Sequence, residues 1–212
     1  MKSLIIVVCL FITCSVSAQN YPFIKNFVAG TIILKDGTQK SGLIRWFPDP
    51  SEKLRFKMNN DAVEEKYQIP DLQGFITDTL HFKMLSNLEI YGENYPLLNK
   101  MSKLKYMFAQ IIYTGKINVY YVLYNAYDAI QNGFSAYPNL IFEKTKDNKQ
   151  EFATFPVYIR MREKRYDEAK ERLLPFFSEY PSIQEKLKTF NRATSMLNVV
   201  DFIKQIPEVK NE

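Results

Sequence analysis

The side chains able to do chemistry are few in this sequence, and their spacing argues against most catalytic designs. Histidine occurs once, as His81, set between Leu80 and Phe82 in an apolar stretch. One imidazole cannot supply the His-rich ligand sets of catalytic zinc sites. A Ser-His-Asp triad would have to use this same residue, with no Gly-x-Ser-x-Gly elbow to hold the serine. The expectation for His81 is a satisfied, partly buried strand side chain. Phosphate-cradling Gly-x-x-x-x-Gly-Lys and Gly-x-Gly-x-x-Gly loops, His-Glu-x-x-His and a calcium loop do not occur. No cofactor, no metal site and no catalytic residue is expected. Paired carboxylates survive the elimination, because glycoside hydrolysis needs two acids about 5–10 Å apart and no fixed sequence spacing. Asp61, Glu64 and Glu65 are candidates, although beside Asn59-Asn60 they read more simply as a solvated turn.

Aromatic side chains are the larger surplus, at 15 % of 212 residues. Tyr120, Tyr121, Tyr124 and Tyr127 crowd one short span, Phe134 and Tyr137 follow, and Trp46-Phe47 precedes Pro48. Strand alternation puts Tyr120 and Tyr124 on one face and Tyr121 on the other. Rings left exposed in this way could stack on a sugar or anchor a protein partner. Trp46, Phe47, Tyr121, Tyr124 and Tyr127 are therefore the candidate contact residues. The bland alternative is that β cores and sheet surfaces simply favour Tyr and Phe.

The opening residues bear on location. Lys2 precedes an uncharged apolar run, Leu4 to Thr13, and the small residues Ser15-Val16-Ser17-Ala18 follow. The run is about half the ~20 residues needed to span a bilayer, so it reads as a secretion signal cleaved between Ala18 and Gln19. Both cysteines, Cys9 and Cys14, lie within it. The exported chain then has no thiol, hence no disulfide and no thiolate chemistry. Lipid attachment at Cys14 is a less favoured variant, since Thr13 is bulkier than the small residue expected before such a cysteine. A net charge of +5 is mild. The dense run Arg160 to Arg165 is followed at once by Asp167, Glu168 and Glu171. No nucleic-acid interface is expected from this pattern, and no membrane span in the exported chain.

Short strands must position whatever binds. Phe27 to Lys35 and Ser41 to Phe47 flank the turn dipeptide Asp36-Gly37. Lys53 to Met58 alternates charged and apolar residues, which turns Leu54, Phe56 and Met58 inward. Further strands are expected at Lys66 to Ile69, Gln73 to Thr77, Leu80 to Leu85, Leu104 to Tyr113, Lys116 to Tyr124, Leu140 to Thr145 and Gln150 to Thr154. Pro96, Pro138 and Pro156 are expected between these runs. After Pro156 the period changes: Tyr166, Ala169, Leu173, Phe177 and Tyr180 make one helical face. Pro175 should stop that helix near Leu174. Ser182-Ile183-Gln184-Glu185 matches a capping box, and a last helix spans Ser195 to Ile206.

Ala18-Gln19, Gly30 to Gly37 and Ser41-Gly42-Leu43-Ile44 together resemble the opening of many small secreted cell-envelope proteins of Bacteroidota, a group of uncharacterised activity. The turn Glu179-Tyr180-Pro181-Ser182 is similar to theirs too. The resemblance implies an envelope location and supplies no functional residues. Tyr166-Asp-Glu-Ala169 with Tyr180-Pro181 is also similar to the second helix of a tetratricopeptide repeat, but it occurs once, and such repeats need stacked neighbours.

The expected fold is α+β: an antiparallel sheet or small barrel-like roll over residues 19–156, with three to four C-terminal helices packed on it over 157–212. The expected function is non-catalytic binding in the periplasm or at the cell surface, with a protein or glycan of the envelope as ligand. The alternatives are a carboxylate-dependent hydrolase acting on glycans, and a lipid-anchored surface protein.

Overall fold

The computed structural model describes residues 21–92, 101–128, 133–146, 149–157, 163–191 and 197–205. Ten strands make one antiparallel sheet: β1 (Val28–Leu34), β2 (Gln39–Arg45), β3 (Leu54–Lys57), β4 (Glu65–Tyr67), β5 (Leu72–Thr77), β6 (Leu80–Tyr91), β7 (Met101–Tyr113), β8 (Ile117–Asp128), β9 (Gly133–Lys146) and β10 (Lys149–Pro156). Their order is β10-β9-β8-β7-β6-β5-β1-β2-β3-β4. Every neighbour is also a neighbour in sequence except at β1 and β5, where Thr31 faces Ile76 and Ile32 faces Phe75. Two meanders are thus joined along one seam.

Among the described residues three α-helices follow: α1 (Glu163–Leu173), α2 (Pro181–Lys188) and α3 (Leu197–Gln205). They are short, and this corrects the α+β expectation: the fold is largely β, an open sheet with edges at β4 and β10. Prolines account for the brevity. Leu174–Phe177 is a 3₁₀ turn carrying Pro175, and α2 begins with Pro181 at its first position. The capping box is not formed either. With Pro181 setting the start, Tyr180 becomes the N-cap, no side chain caps the helix, and Ser182 falls inside the first turn.

The strands also run longer than the sequence suggests, 12 to 14 residues in β6, β7, β8 and β9. In β6 the alternation breaks at Asn87, whose φ of 54° suits an Asn, so that Leu85 and Leu88 are both buried. Pro138 lies inside β9, not between strands as expected. Its carbonyl accepts the Val157 N–H at 2.8 Å. On that side β10 pairing has ended at Pro156, itself within β10, so the missing proline donor is not needed. Met58 was expected inward, but it lies beyond the end of β3 and is exposed.

Two cores sit on this sheet. The first gathers rings around Phe75, which stacks on Phe82 at 4.5 Å and meets Phe108 edge-on at 5.1 Å. Phe23, from the 3₁₀ turn Pro22–Ile24, closes it at 5.4 Å from Phe75. The second lies under the helices, where Phe142 meets Phe177 at 5.4 Å and Phe155 meets Tyr166 at 5.2 Å. Alternation makes β8 and β9 serve both: Tyr120, Val122 and Ile141 face the first core, and Ile117, Val119, Leu140 and Phe142 the second. The sheet curls between them. Asn139 of β9 accepts the Tyr91 backbone N–H and donates to its carbonyl, both at 3.0 Å, and Thr154 of β10 donates to the Glu89 carbonyl of β6.

Candidate functional site

The aromatic residues singled out from sequence do not assemble into one exposed patch. Trp46 is 2 % exposed. Its backbone N–H donates to the Phe23 carbonyl at 3.1 Å, which draws it beneath the N-terminal turn. Its ring then lies 5.2 Å from Phe108 and 5.8 Å from Phe75. Phe47 is half-buried next to buried Pro48, whose carbonyl accepts from the Asn125 backbone and side chain at 3.1 and 3.0 Å. Tyr121 is half-buried and touches both cores, and burial pushes its phenol up to about 12. Tyr124 packs on the first core, 6.4 Å from Tyr137. Tyr127 pairs in register with Phe134 across β8 and β9, and its side chain lies outside the described residues. Ala18, Gln19 and Cys14 lie outside them as well.

Of the acids in the 59–65 segment, Asp61 lies in an exposed turn and Glu65 opens β4. Asn59 caps that turn by accepting the Asp61 N–H at 3.0 Å. Glu64 lies 3.7 Å from Arg55 and 3.9 Å from Lys66, and Glu65 lies 3.3 Å from Lys40. His81 is exposed on β6 opposite Ile76, not partly buried as expected. Among the described residues no group of three or more His, Cys, Asp or Glu is arranged to hold a metal ion. No described helix is long and apolar enough to cross a membrane. An open depression along α1 is lined by Lys164, Asp167, Glu168, Glu171 and Arg172, charges of both signs.

A buried polar cluster was not foreseen. Glu143, 3 % exposed, accepts hydrogen bonds at Oε2 from the Tyr120 hydroxyl and from Asn118 Nδ2, the latter at 2.9 Å. Lys83 Nζ lies 3.5 Å from the same oxygen and donates to Tyr120 Oη at 3.2 Å. The antiparallel register creates the group, since Asn118 faces Glu143 and Tyr120 faces Ile141 on one side of the sheet. A Tyr beside a Lys is a pairing that elsewhere serves proton transfer. Here burial, and then the Glu143 carboxylate, push the Tyr120 phenol far above its ordinary value. The phenol stays protonated and spends its proton on Glu143, so the group acts as a fastener across β6, β8 and β9. On the other sheet face Lys144, 4 % exposed, donates to the Phe176 carbonyl at 2.7 Å and holds the helical region to the sheet.

The open surface lies elsewhere. Odd-numbered residues of β1 and β2 face away from the first core: Ala29 faces Leu43, and Thr31 faces Ser41 and Ile76. Ala29 and Ser41 are exposed, and Leu43, Ile33 and Ile76 are half-buried and packed against neither core. The same face carries Phe27 just before β1, with the Arg45 guanidinium 4.9 Å and the Lys57 ammonium 5.3 Å from its ring centroid. Arg55 stands opposite Arg45, and Lys57 opposite Leu43. The K-L-R-F-K-M alternation already separated Arg55 and Lys57 from the inward Leu54 and Phe56. The register that lines them up with Arg45 is the part no local pattern reveals. No known protein family, curated protein or solved structure matches this chain.

Proposed function

We propose that this chain is a non-catalytic binding protein of the bacterial cell envelope, and that it meets its protein or glycan ligand on the outer face of β1, β2, β3 and β5. The half-buried Leu43, Ile33 and Ile76, which among the described residues pack on neither core, carry this reading, because apolar side chains on such a sheet face favour a covering partner. The contacts of Tyr120, Asn118 and Lys83 with Glu143 Oε2 support it, since these groups are spent on one another. The succession of Lys2, the apolar run to Thr13 and the small residues to Ala18 supports export.

Site-specific photocrosslinking in the producing cells tests both parts. A photoreactive residue at Ser41 or Ile76 is expected to give a discrete adduct that the same residue at Asp61 or Glu171 does not. Absence of any adduct from the sheet face removes the contact reading. An N-terminus at Gln19 on the exported protein is the expected result for secretion, and a retained Met1 refutes it.

A further inference from the structure

We infer that the ligand of this face is an acidic protein segment, gripped by Arg45 and Lys57 beside an apolar contact at Leu43. The inference rests on the outer face being the contact surface, and it adds the chemistry of what is bound.

The charges are the first reason. Among the described residues neither Arg45 nor Lys57 has a carboxylate partner, and the ring of Phe27 is what each cation meets. Nearby cations are handled differently: Arg55 pairs with Glu64 and Lys40 with Glu65. Arg45 and Arg55 also stand directly opposite each other on one face, an arrangement that disfavours the sheet. A carboxylate brought to this place relieves that repulsion and completes two charge-assisted contacts at once.

Shape and composition narrow the ligand further. The face is part of an open sheet, which suits an extended chain better than a small molecule. Phe27 already carries cations over its ring, so a sugar gains little by stacking on it. Leu43 and Ala29 lie in the row beside Lys57, so the matching ligand presents an apolar side chain next to its acids. Strand addition is not the mode, because the nearby edge strand β4 has only 3 residues. Recognition is by side chains.

The test uses the full exported chain and fluorescent poly-L-glutamate as probe, read by anisotropy from low to physiological salt. Arg45→Gln with Lys57→Gln is expected to weaken binding about tenfold or more and to flatten its salt dependence. The charge-matched pair Lys103→Gln with Lys105→Gln, on exposed β7 positions, is expected to change it less than about twofold. Arg45→Lys with Lys57→Arg is expected to retain binding, which separates charge from folding. Equal losses in both Gln pairs overturn the inference, as does tighter binding of heparin or of anionic phospholipid vesicles than of polyglutamate. Unchanged polyglutamate binding with new self-association in the Arg45/Lys57 variant also overturns it, and marks the cations as guards of the sheet. Face adducts that persist when polyglutamate fails to bind leave the contact surface standing and remove only its acidic ligand.

Discussion

Replacing Trp46 separates a binding ring from a core ring. The indole is 2 % exposed and touches Phe23, Phe75, Phe82 and Phe108 at centroid distances of 5.2 to 6.5 Å. A buried ring of this size removes about 200 Å² from water, worth about 5 kcal/mol at 25 cal/mol per Å². Measured truncations of large aromatics cluster at about 3–5 kcal/mol, because the surroundings relax into part of the space. Trp46→Ala is therefore expected to lower stability by about 4 kcal/mol, or about 8–16 °C in Tm for a chain of this size. Among the described residues the indole N–H has no hydrogen-bond partner, and burying an unpaired donor costs about 1–3 kcal/mol. Trp46→Phe removes that cost along with some volume, so its net loss should stay under about 1.5 kcal/mol. Urea unfolding of both variants measures the pair. A Trp46→Ala loss below about 1 kcal/mol, or a Trp46→Phe loss equal to it, refutes the packing described here.

Lys144→Met keeps the stem and removes the ammonium that meets the Phe176 carbonyl; a loss of about 1–3 kcal/mol is expected, with hydrogen exchange faster in α1 and α2 than in β1 and β2. Gly74 leaves no room for a side chain, since a Cβ there would lie 2.0 Å from the Phe82 carbonyl oxygen; Gly74→Ala should cost about 3 kcal/mol or more by thermal melting, and an unchanged Tm would contradict the β5–β6 approach. At high pH the buried phenols dominate. Burial raises Tyr21, Tyr120 and Tyr166, the last to about 12. A raised phenol contributes fully below the unfolded value near 10 and loses that contribution as pH climbs. Above the unfolded value each of the three then favours unfolding by about 1.4 kcal/mol per pH unit, so the last part of the phenolate absorbance of the 14 tyrosines should appear together with the loss of circular dichroism. Complete ionisation of the tyrosines with the fold intact would refute this. At low pH the sign reverses: the Lys146 ammonium, at 2.7 Å, holds Glu179 below its ordinary value. Its contact with the sheet is present above the carboxylate range and is lost as pH falls beneath it, which Glu179→Gln should abolish as a pH-dependent feature.

Local chemistry was legible where a few adjacent residues decide it. Asp36-Gly37 does make the β1–β2 turn, with Gly37 at φ 88° and Asp36 accepting the Thr38 N–H at 2.9 Å. Leu54 and Phe56 are buried as their alternation requires. What stayed hidden depends on pairing between distant segments. Nothing near Trp46 announces that the Phe23 carbonyl will pull it inward, and nothing near Glu143 announces that Asn118 and Lys83 will meet it. The strand length of β9 was masked by Pro138, because a proline reads as a break unless its empty donor side is known to face the end of β10. The Arg45, Phe27 and Lys57 group spans three strands and needs two registers at once.

The seam between β1 and β5 has a consequence for assembly. Apart from it, each strand finds its partner within the next hairpin, and such local closures are fast because little loop entropy is lost. The seam alone asks the chain to fold back across the whole β1–β4 meander. A polypeptide emerging from a pore with its amino end leading could thus complete four strands at once, then wait for Leu72 to Thr77 before the Phe75 rings find one another. Every later strand pairs with its predecessor in sequence, outward from that junction, and the helices pack on the last of them.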